Sequence, residues 1–259
     1  MSEPAGVWEV PASWRTIDFI SDLHLAEDTP RTFAAWSTYL LGTPADAVLI
    51  LGDLFESWVG DDARFDPFEA SGVAALREAA SRRTIAFMVG NRDFLVGPEM
   101  LAACGMSALA DPSVVAAFGQ CALLAHGDAM CVDDTAYQAF RTVVREAGWQ
   151  REFLGRSLTE RRAVARAMRT GSEAAKAAAG LVSDVDRGLA VAALNQAGAT
   201  TLVHGHTHRP ADEQLAPGLT RRVLSDWDLD HGRARAEVLR WSHRGFERLT
   251  PEAAVHRDA

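Results

Sequence analysis

A layered α/β fold is predicted by three features of this 259-residue chain. Near-continuous apolar runs of about five residues recur in both halves, as strands buried on two faces require. Helical patterns separate the early runs, giving the strand–helix–strand alternation of a layered domain. Each run ends in small polar residues that can bind a metal, at the sheet edge where ligands gather in such folds.

Taken in order, residues 17–20 form the first such strand and end at Ser21-Asp22. A helix over 32–41 follows, with Trp36 and Leu40 on one face. The strand over 47–51 ends at Gly52-Asp53, and a helix over 68–80 leads to a strand over 85–89 that ends at Gly90-Asn91. Residues 122–125 run into His126-Gly127-Asp128, and 201–203 into His204-Gly205-His206. Between these two, residues 133–193 are rich in alanine, arginine and glutamate without an extended β-branched run. That predicts several helices, broken at Gly148, Gly155, Gly171 and Gly180. Lying between two strand ends, this block is placed to cap the same edge of the sheet. Short strands return at 220–225 and 235–241 around a turn at 230–233, and the tail after Pro251 is expected to fray.

Composition bounds the function. With 48% hydrophobic and 24% charged residues the chain supports one sizeable core and is not a disordered sequence. No run approaches the roughly 18 apolar residues of a membrane span. Met1 to Glu9 lacks a basic-then-apolar pattern, so no secretory signal is expected. Cys104, Cys121 and Cys131 form no CxxC pair, which fits a reducing, cytosolic compartment. The net charge of -9 argues against a general nucleic-acid binder. Residues 141–176, however, hold nine basic side chains against four acidic ones, a local +5 on a body of -14. Such a segment meets an anion or an anionic surface, or is a solvated helical face.

The chemistry is carried by the strand ends together: Asp22-x-His24, Gly52-Asp53, Gly90-Asn91-Arg92-Asp93, His126-Gly127-Asp128 and His204-Gly205-His206-Thr207-His208. Any one alone is weak, but five in succession after apolar strands form a constellation. Carboxylate, imidazole and amide donors without thiolate suit Mn²⁺, Zn²⁺, Fe²⁺ or Co²⁺ better than an all-oxygen Ca²⁺ site. Asp22, His24, Asp53, Asn91, His126, His206 and His208 exceed the needs of one ion and suffice for two if a carboxylate bridges. Two ions roughly 3.5 to 4 Å apart activate water and clamp a phosphoryl group for in-line attack.

This order of motifs resembles the calcineurin-like metallophosphoesterases, with their DxH, GDxx, GNH(D/E), isolated histidine and GHxH blocks. The resemblance implies a four-layer αββα sandwich, with 1–259 as a single domain and 134–193 as a helical lid inserted in it. It also implies that Asp53 bridges two ions, that Asp22, His24 and His208 complete one site, and that Asn91, His126 and His206 complete the other. Arg92 departs from the usual histidine. An arginine cannot donate its proton at neutral pH, but its rigid fork suits the phosphate leaving group of a phosphoanhydride. A simple ion pair with Asp93 is the alternative.

A closer resemblance is to the UDP-2,3-diacylglucosamine pyrophosphatase (hydrolase) family of lipid A synthesis. It rests on Phe19 to Leu25, Gly52-Asp53-Leu54-Phe55-Glu56, Gly90 to Leu95, His126-Gly127-Asp128, Asp133-Asp134-x-x-Tyr137-Gln138-x-Phe140-Arg141, and His204 to Pro210. This implies cleavage of UDP-2,3-diacylglucosamine to 2,3-diacylglucosamine 1-phosphate (lipid X) and UMP by water attacking the α-phosphorus, with two Mn²⁺ per chain. It implies a monomer, peripheral on the cytoplasmic face of a bacterial inner membrane, with a lipid-linked sugar nucleotide as partner and no nucleic acid. By position, Asp53, Asn91 and Arg92 are the catalytic residues. Asn91, Arg92, Asp134, Tyr137, Arg169, Ser172, Lys176 and His206 contact substrate, and Phe140 lines the acyl cleft. Lys176 is the only lysine beside 25 arginines, and the alternative for it is a leftover surface residue. Gly171 loosens the backbone next to Ser172. Trp149, Phe153, Leu154 and Leu158 are read as packing among the inserted helices more than as membrane anchors. His204 is read as a support behind the ligands or as packed against the sheet, not as a direct ligand, and His231, His243 and His256 as surface residues. The rivals are another two-metal phosphodiesterase or phosphatase of the superfamily, acting on a cyclic nucleotide, a nucleic acid or a phosphoprotein, and a scaffold that has lost its chemistry.

Overall fold

The structure is a computed structural model that describes residues 7–179 and 183–256, with side chains for all of these except 171–179. The first half runs β1 (Val7–Glu9), β2 (Thr16–Ile20), α1 (Pro30–Gly42), β3 (Ala47–Leu51), α2 (Pro67–Ala80), β4 (Thr84–Met88), α3 (Pro98–Cys104) and β5 (Ser107–Leu109). Strands β6 (Ser113–Ala117) and β7 (Gln120–Ala125) precede four helices, α4 (Thr135–Val144), α5 (Ala147–Leu154), α6 (Leu158–Ala179) and α7 (Arg187–Ala197). The chain closes with β8 (Thr201–His204), β9 (Ala211–Ala216), β10 (Leu219–Val223), β11 (Val238–Ser242), β12 (Gly245–Leu249) and α8 (Pro251–His256).

Two six-stranded sheets result, ordered β12-β11-β2-β3-β4-β5 and β1-β6-β7-β8-β10-β9. Strands β2, β3, β4 and β5 pair in parallel, as do β7, β8 and β10. All strands of each parallel block therefore end at one edge. Alternation along β2, β3 and β4 sorts their side chains between two cores. Ile17, Phe19, Ala47, Leu49, Leu51, Ala86 and Met88 pack toward the second sheet, against Val115, Leu124 and Val203. Ile20, Val48, Ile50, Ile85 and Phe87 point outward, onto Trp36 and Leu40 of α1, Leu76 of α2, Met100 of α3 and Ala254 of α8. On the far face of the second sheet, Leu123, Ala125 and Leu202 receive Ala190 and Leu194 of α7. The order helices, sheet, sheet, helix is the four-layer αββα sandwich.

The predicted strands and helices lie where the apolar runs placed them, within a residue or two, except that the strand expected at 235–241 begins three residues later, at Val238. Elsewhere the structure corrects the expectations. Through His256 the tail does not fray, because Pro251 and Ala254 are buried and α8 packs on α1 and β11. Gly148 lies inside α5 and Gly171 inside α6, so neither breaks a helix, whereas Gly155 does follow the end of α5. Gly180 falls outside the described residues.

A buried ion pair ties the outer layer together. Arg240 on β11 donates to Asp18 on β2 at 2.7 and 2.9 Å, and also to Thr43 and to the Ala254 carbonyl of α8. Tyr39 and Thr43 donate to the same carboxylate. The two charged side chains are 0% and 6% exposed. Arg240→Ala leaves Asp18 without its counter-charge and is expected to lower the unfolding free energy by about 3–5 kcal/mol in urea titrations. Arg82→Ala, which breaks an exposed pair with Glu78, is expected to cost about 1 kcal/mol or less.

Candidate active site

Five strand ends deliver the candidate ligands to the place where the two sheets share an edge. Asp22 and His24 follow β2, Asp53 follows β3, and Asn91 and Arg92 follow β4, all from one sheet. His126 follows β7, and His206 and His208 follow β8, from the other. The loops are stitched to one another through their backbones. Asp22 N donates to Gly52 O, Leu23 N and His24 N donate to Asp53 O, and Gly205 N donates to His126 O.

Among the described residues, six non-glycine positions have positive φ. One, Phe118, forms with Gly119 the two-residue turn between β6 and β7, a type I′ geometry. The other five are Asp22, His24, Asp53, His206 and His208, with φ between 48° and 67°. Left-handed backbone in bulky residues is uncommon, and such strain collects where a site needs it.

The donor atoms converge. Asp22, His24 and His208 present atoms within 4.8 Å of one another, as do Asp22, Asp53 and His126. His24 Nε2 lies 3.2 Å from His208 Nε2 and 3.9 Å from Asp53 Oδ2, and His126 Nε2 lies 3.7 Å from the same Asp53 oxygen. Asn91 Oδ1 sits 3.0 Å from His126 Nε2 and 2.8 Å from His206 Nδ1. Asp53 thus stands between the two groups, while Asp22 also belongs to both.

Ring orientation separates ligands from packing. Nδ1 of His24, His126 and His208 faces a scaffold oxygen: Glu56 Oε2 at 2.8 Å, Leu51 O at 2.9 Å and Asp226 Oδ2 at 3.5 Å. These contacts turn each Nδ1 to the scaffold and each Nε2 to the cluster; the one from His126 to Leu51 O is a hydrogen bond, while His24 Nδ1 has no aligned partner. His204 is different. Its Nε2 accepts from Arg221 and its Nδ1 faces Gly205 O at 2.7 Å, so both nitrogens are used within the scaffold, as the sequence reading expected.

The local field favours positive charge. Burial alone would lower His126, but Asp53, Asp128 and Asp22 overcome it and raise its pKa to about 9. Burial alone would raise Asp22, but the hydrogen bond with His208 and the imidazole charges hold it well below the usual carboxylate range. Burial and then the charge of Asp53 push Asp93 up to about 6. Carboxylate and imidazole donors in such a field fit a divalent cation of the Mn²⁺ or Zn²⁺ kind.

Close approach demands glycine. A Cβ on Gly90 would lie in the Asp53 carboxylate, and one on Gly52 would meet Gly90 Cα and His126 Nδ1 at 2.6 Å. Asp93 is fully buried and accepts from the backbones of Asp53, Leu54 and Gly90, so it shapes this loop and is not the partner of Arg92. Arg92 faces Glu56 at 3.5 Å instead, and its backbone N–H donates to Asp53 Oδ1 at 2.8 Å.

The remaining predicted residues are spread along the inserted helices. Asp134 caps α4 by accepting from Tyr137 N. Tyr137 donates to Asp128 at 2.5 Å, and its ring lies 5.9 Å from that of His206. Phe140 is exposed beside Tyr137, and Arg169 on α6 reaches Glu56 at 3.1 Å. The side chains of Ser172 and Lys176 fall outside the described residues. Trp149 stacks on Phe153, which is buried, and Leu158 packs on the same core, whereas Leu154 is exposed. His231, His243 and His256 are exposed. Sequence reasoning missed Glu56, Asp128 and Asp226 as partners of the site. The first two lay inside quoted motifs, and Asp226 had no signal.

An αββα sandwich with this cluster at its shared sheet edge is a metallophosphoesterase. No protein-family model matches the chain. A curated UDP-2,3-diacylglucosamine hydrolase of Chromobacterium violaceum is 46% identical over 220 residues, covering 82% of this chain and 90% of the relative. One of that name from Ralstonia nicotianae is 43% identical over 235 residues, covering 86% and 87%. A solved phosphoesterase of E. coli, Yfce, gives a TM-score of 0.42 at 17% identity over 88% of each chain, a distant likeness. The chain belongs to the UDP-2,3-diacylglucosamine hydrolase family and is an enzyme, a hydrolase.

Gly90→Ala is expected to push the Asp53 carboxylate aside and weaken Mn²⁺ binding, read by calorimetry, by at least about 10–100-fold. Gly148→Ala, where an added Cβ meets nothing within 4 Å, is expected to leave it unchanged.

Proposed function

We propose that this enzyme hydrolyses the pyrophosphate bond of UDP-2,3-diacylglucosamine at the α-phosphorus, giving UMP and 2,3-diacylglucosamine 1-phosphate, with two Mn²⁺ per chain. The chemistry rests on one observation: donor side chains from five strand ends of both sheets converge, five of them through left-handed backbone. The substrate rests on relatives of that name, 43–46% identical over most of the chain.

In this reading Asp22, His24 and His208 hold one ion, Asn91, His126 and His206 the other, and Asp53 both. Bound divalent cations supply a polarised water and neutralise charge on the phosphoryl group. The chain's own groups do the rest. Arg92, rooted to Asp53 through its backbone N–H, holds a phosphate oxygen with its fork and meets the charge that develops on the leaving group. Arg169, Ser172 and Lys176 of α6 take the sugar phosphate, with Asp134 and Tyr137 of α4 and with His206 beside them. Residues 134–193 act as a lid. Its groove of about 150 Å³, lined by Trp149, Phe153, Val164 and Met168 together with the charged Glu152 and Arg156, and the exposed Phe140 offer contacts to acyl carbons, at roughly 0.8 kcal/mol per buried CH₂.

Among the described residues no helix is long and apolar enough to cross a membrane. Phe140, Val143, Leu154 and Met168 are exposed on α4, α5 and α6 and suit a peripheral contact with lipid, in this reading by a monomer on the cytoplasmic face of a bacterial inner membrane.

Purified protein with Mn²⁺ is offered UDP-2,3-diacylglucosamine, UDP-N-acetylglucosamine and a cyclic nucleotide in parallel. UMP from the lipid substrate alone is the expected outcome. Equal turnover of the soluble substrates, or no UMP from the lipid, leaves only a two-metal phosphoesterase of another specificity. Asp53→Ala is expected to abolish turnover. Arg92→Ala is expected to lower kcat by about 10² while both ions remain bound, and lysine is expected to rescue it only in part.

A further inference from the structure

Glu56 is the one acidic side chain that touches a candidate metal ligand, the Arg92 loop and helix α6 among the described residues. It is carried by a short parallel extension beyond β2 and β3, in which Leu25 bridges Phe55 and Glu56 N donates to Leu25 O at 3.1 Å. His24 rides on the opposite strand of that extension, so the two side chains are placed by the same backbone pairing.

The two oxygens of Glu56 are divided between different tasks. Oε2 lies 2.8 Å from His24 Nδ1, a close contact of charge without hydrogen-bond alignment. Oε1 lies 3.5 Å from Arg92 Nη1 and 3.1 Å from Arg169 Nη1. The side chain is 14% exposed. Yet Oε1, although buried, accepts no aligned hydrogen bond from any described residue. Its hold on the two guanidinium groups is one of charge, not of directed bonds. Two like-charged groups from segments 77 residues apart would repel without it. A phosphate oxygen offers the two guanidinium groups the same negative charge, so the pair gathered on Oε1 is already placed for a phosphate.

We propose that Glu56 is a positioning residue for the hydrolysis described above. One oxygen fixes the ring of His24 for its cation, and the other gathers Arg92 and Arg169 into a pair that meets a substrate phosphate. The proposal rests on that functional reading for the identity of the phosphate, but not for the metal or for the pairing.

The test separates the two oxygens. Mn²⁺ binding, and inorganic phosphate binding to the Mn²⁺-loaded protein, are measured by calorimetry for the wild type, Glu56→Ala and Glu56→Gln. Alanine is expected to weaken Mn²⁺ binding by about 10–100-fold, and glutamine to restore part of it because its amide oxygen keeps the contact that orients the ring. Phosphate binding is expected to stay weakened in the glutamine variant, which keeps the shape but loses the charge. In a double-mutant cycle, Arg169→Ala is expected to weaken phosphate binding clearly in the wild type and much less beside Glu56→Gln. Unchanged Mn²⁺ affinity in the alanine variant overturns the His24 half, and additive effects in the cycle overturn the arginine half. Neither readout uses the lipid, so a failure to release UMP from it counts against the substrate assignment and not against Glu56.

Discussion

Asp22 and Asp53 place two carboxylates side by side where water scarcely reaches, at 0% and 1% exposure, and the loops around them are shaped by the need to hold them there. A buried carboxylate is costly unless charge and hydrogen bonds replace the water it loses. Here Ser21 Oγ and the His206 N–H donate to Asp22, and the Arg92 N–H donates to Asp53. Imidazoles from both sheets supply compensating positive charge. The third nearby carboxylate, Asp93, is pushed toward neutrality by burial and by Asp53, and it spends its oxygens on three backbone N–H groups. Left-handed backbone at five of these positions costs on the order of 1–3 kcal/mol each. The sandwich on either side is rigid enough to impose it.

The candidate ligands were legible in the sequence because each lies just past an apolar strand, and in a layered α/β fold that address is three-dimensional. Parallel pairing then brings strand ends together whatever their separation along the chain. What could not be read depends on distant partners. Asp226 matters through His208, and Glu56 through Arg169, 113 residues away. No local pattern marks such a carboxylate. Edge strands were hidden for a related reason. Ala211–Ala216 has no β-branched residue and four exposed positions in succession, and it becomes β9 only because β10 is there to pair with it. The helix after Pro251 was misjudged because its burial depends on Arg240 reaching the Ala254 carbonyl from another strand.

The excess of positive charge over 141–176 gains a third explanation beyond an anion site or a solvated face. Arg141 pairs with Asp128, and Arg145 donates to Gly90 O. Arg161 pairs with Asp62 and donates to Val59 O at 2.5 Å, and Arg162 pairs with Asp66 and Glu69. Arg169 faces Glu56. These arginines point back into an acidic body, so much of the charge joins α4 and α6 to the sandwich. The arrangement suits a binding site because the arginines nearest the candidate cluster are held in place by carboxylates of the body, with their remaining N–H groups left for a phosphate. Attachment and recognition then use one set of side chains.

Arg92 shows why the departure from the usual histidine belongs with this arrangement. A histidine at that position serves a leaving group that needs a proton, such as an alkoxide. The leaving group from a pyrophosphate is itself a phosphate, already a stable anion near neutral pH, and its demand is for charge and orientation. A guanidinium meets both with a fixed fork and a charge that does not titrate. Its fork would be of little use on a loose loop. The Arg92 N–H is bound to Asp53 Oδ1 and Trp58 N donates to the Arg92 carbonyl, so the residue is fastened on both sides of its peptide unit. Glu56 faces the guanidinium itself. Backbone and side chain are thus held by the carboxylates on either side, and the fork stands at a set distance from the cluster that a phosphoanhydride would have to enter.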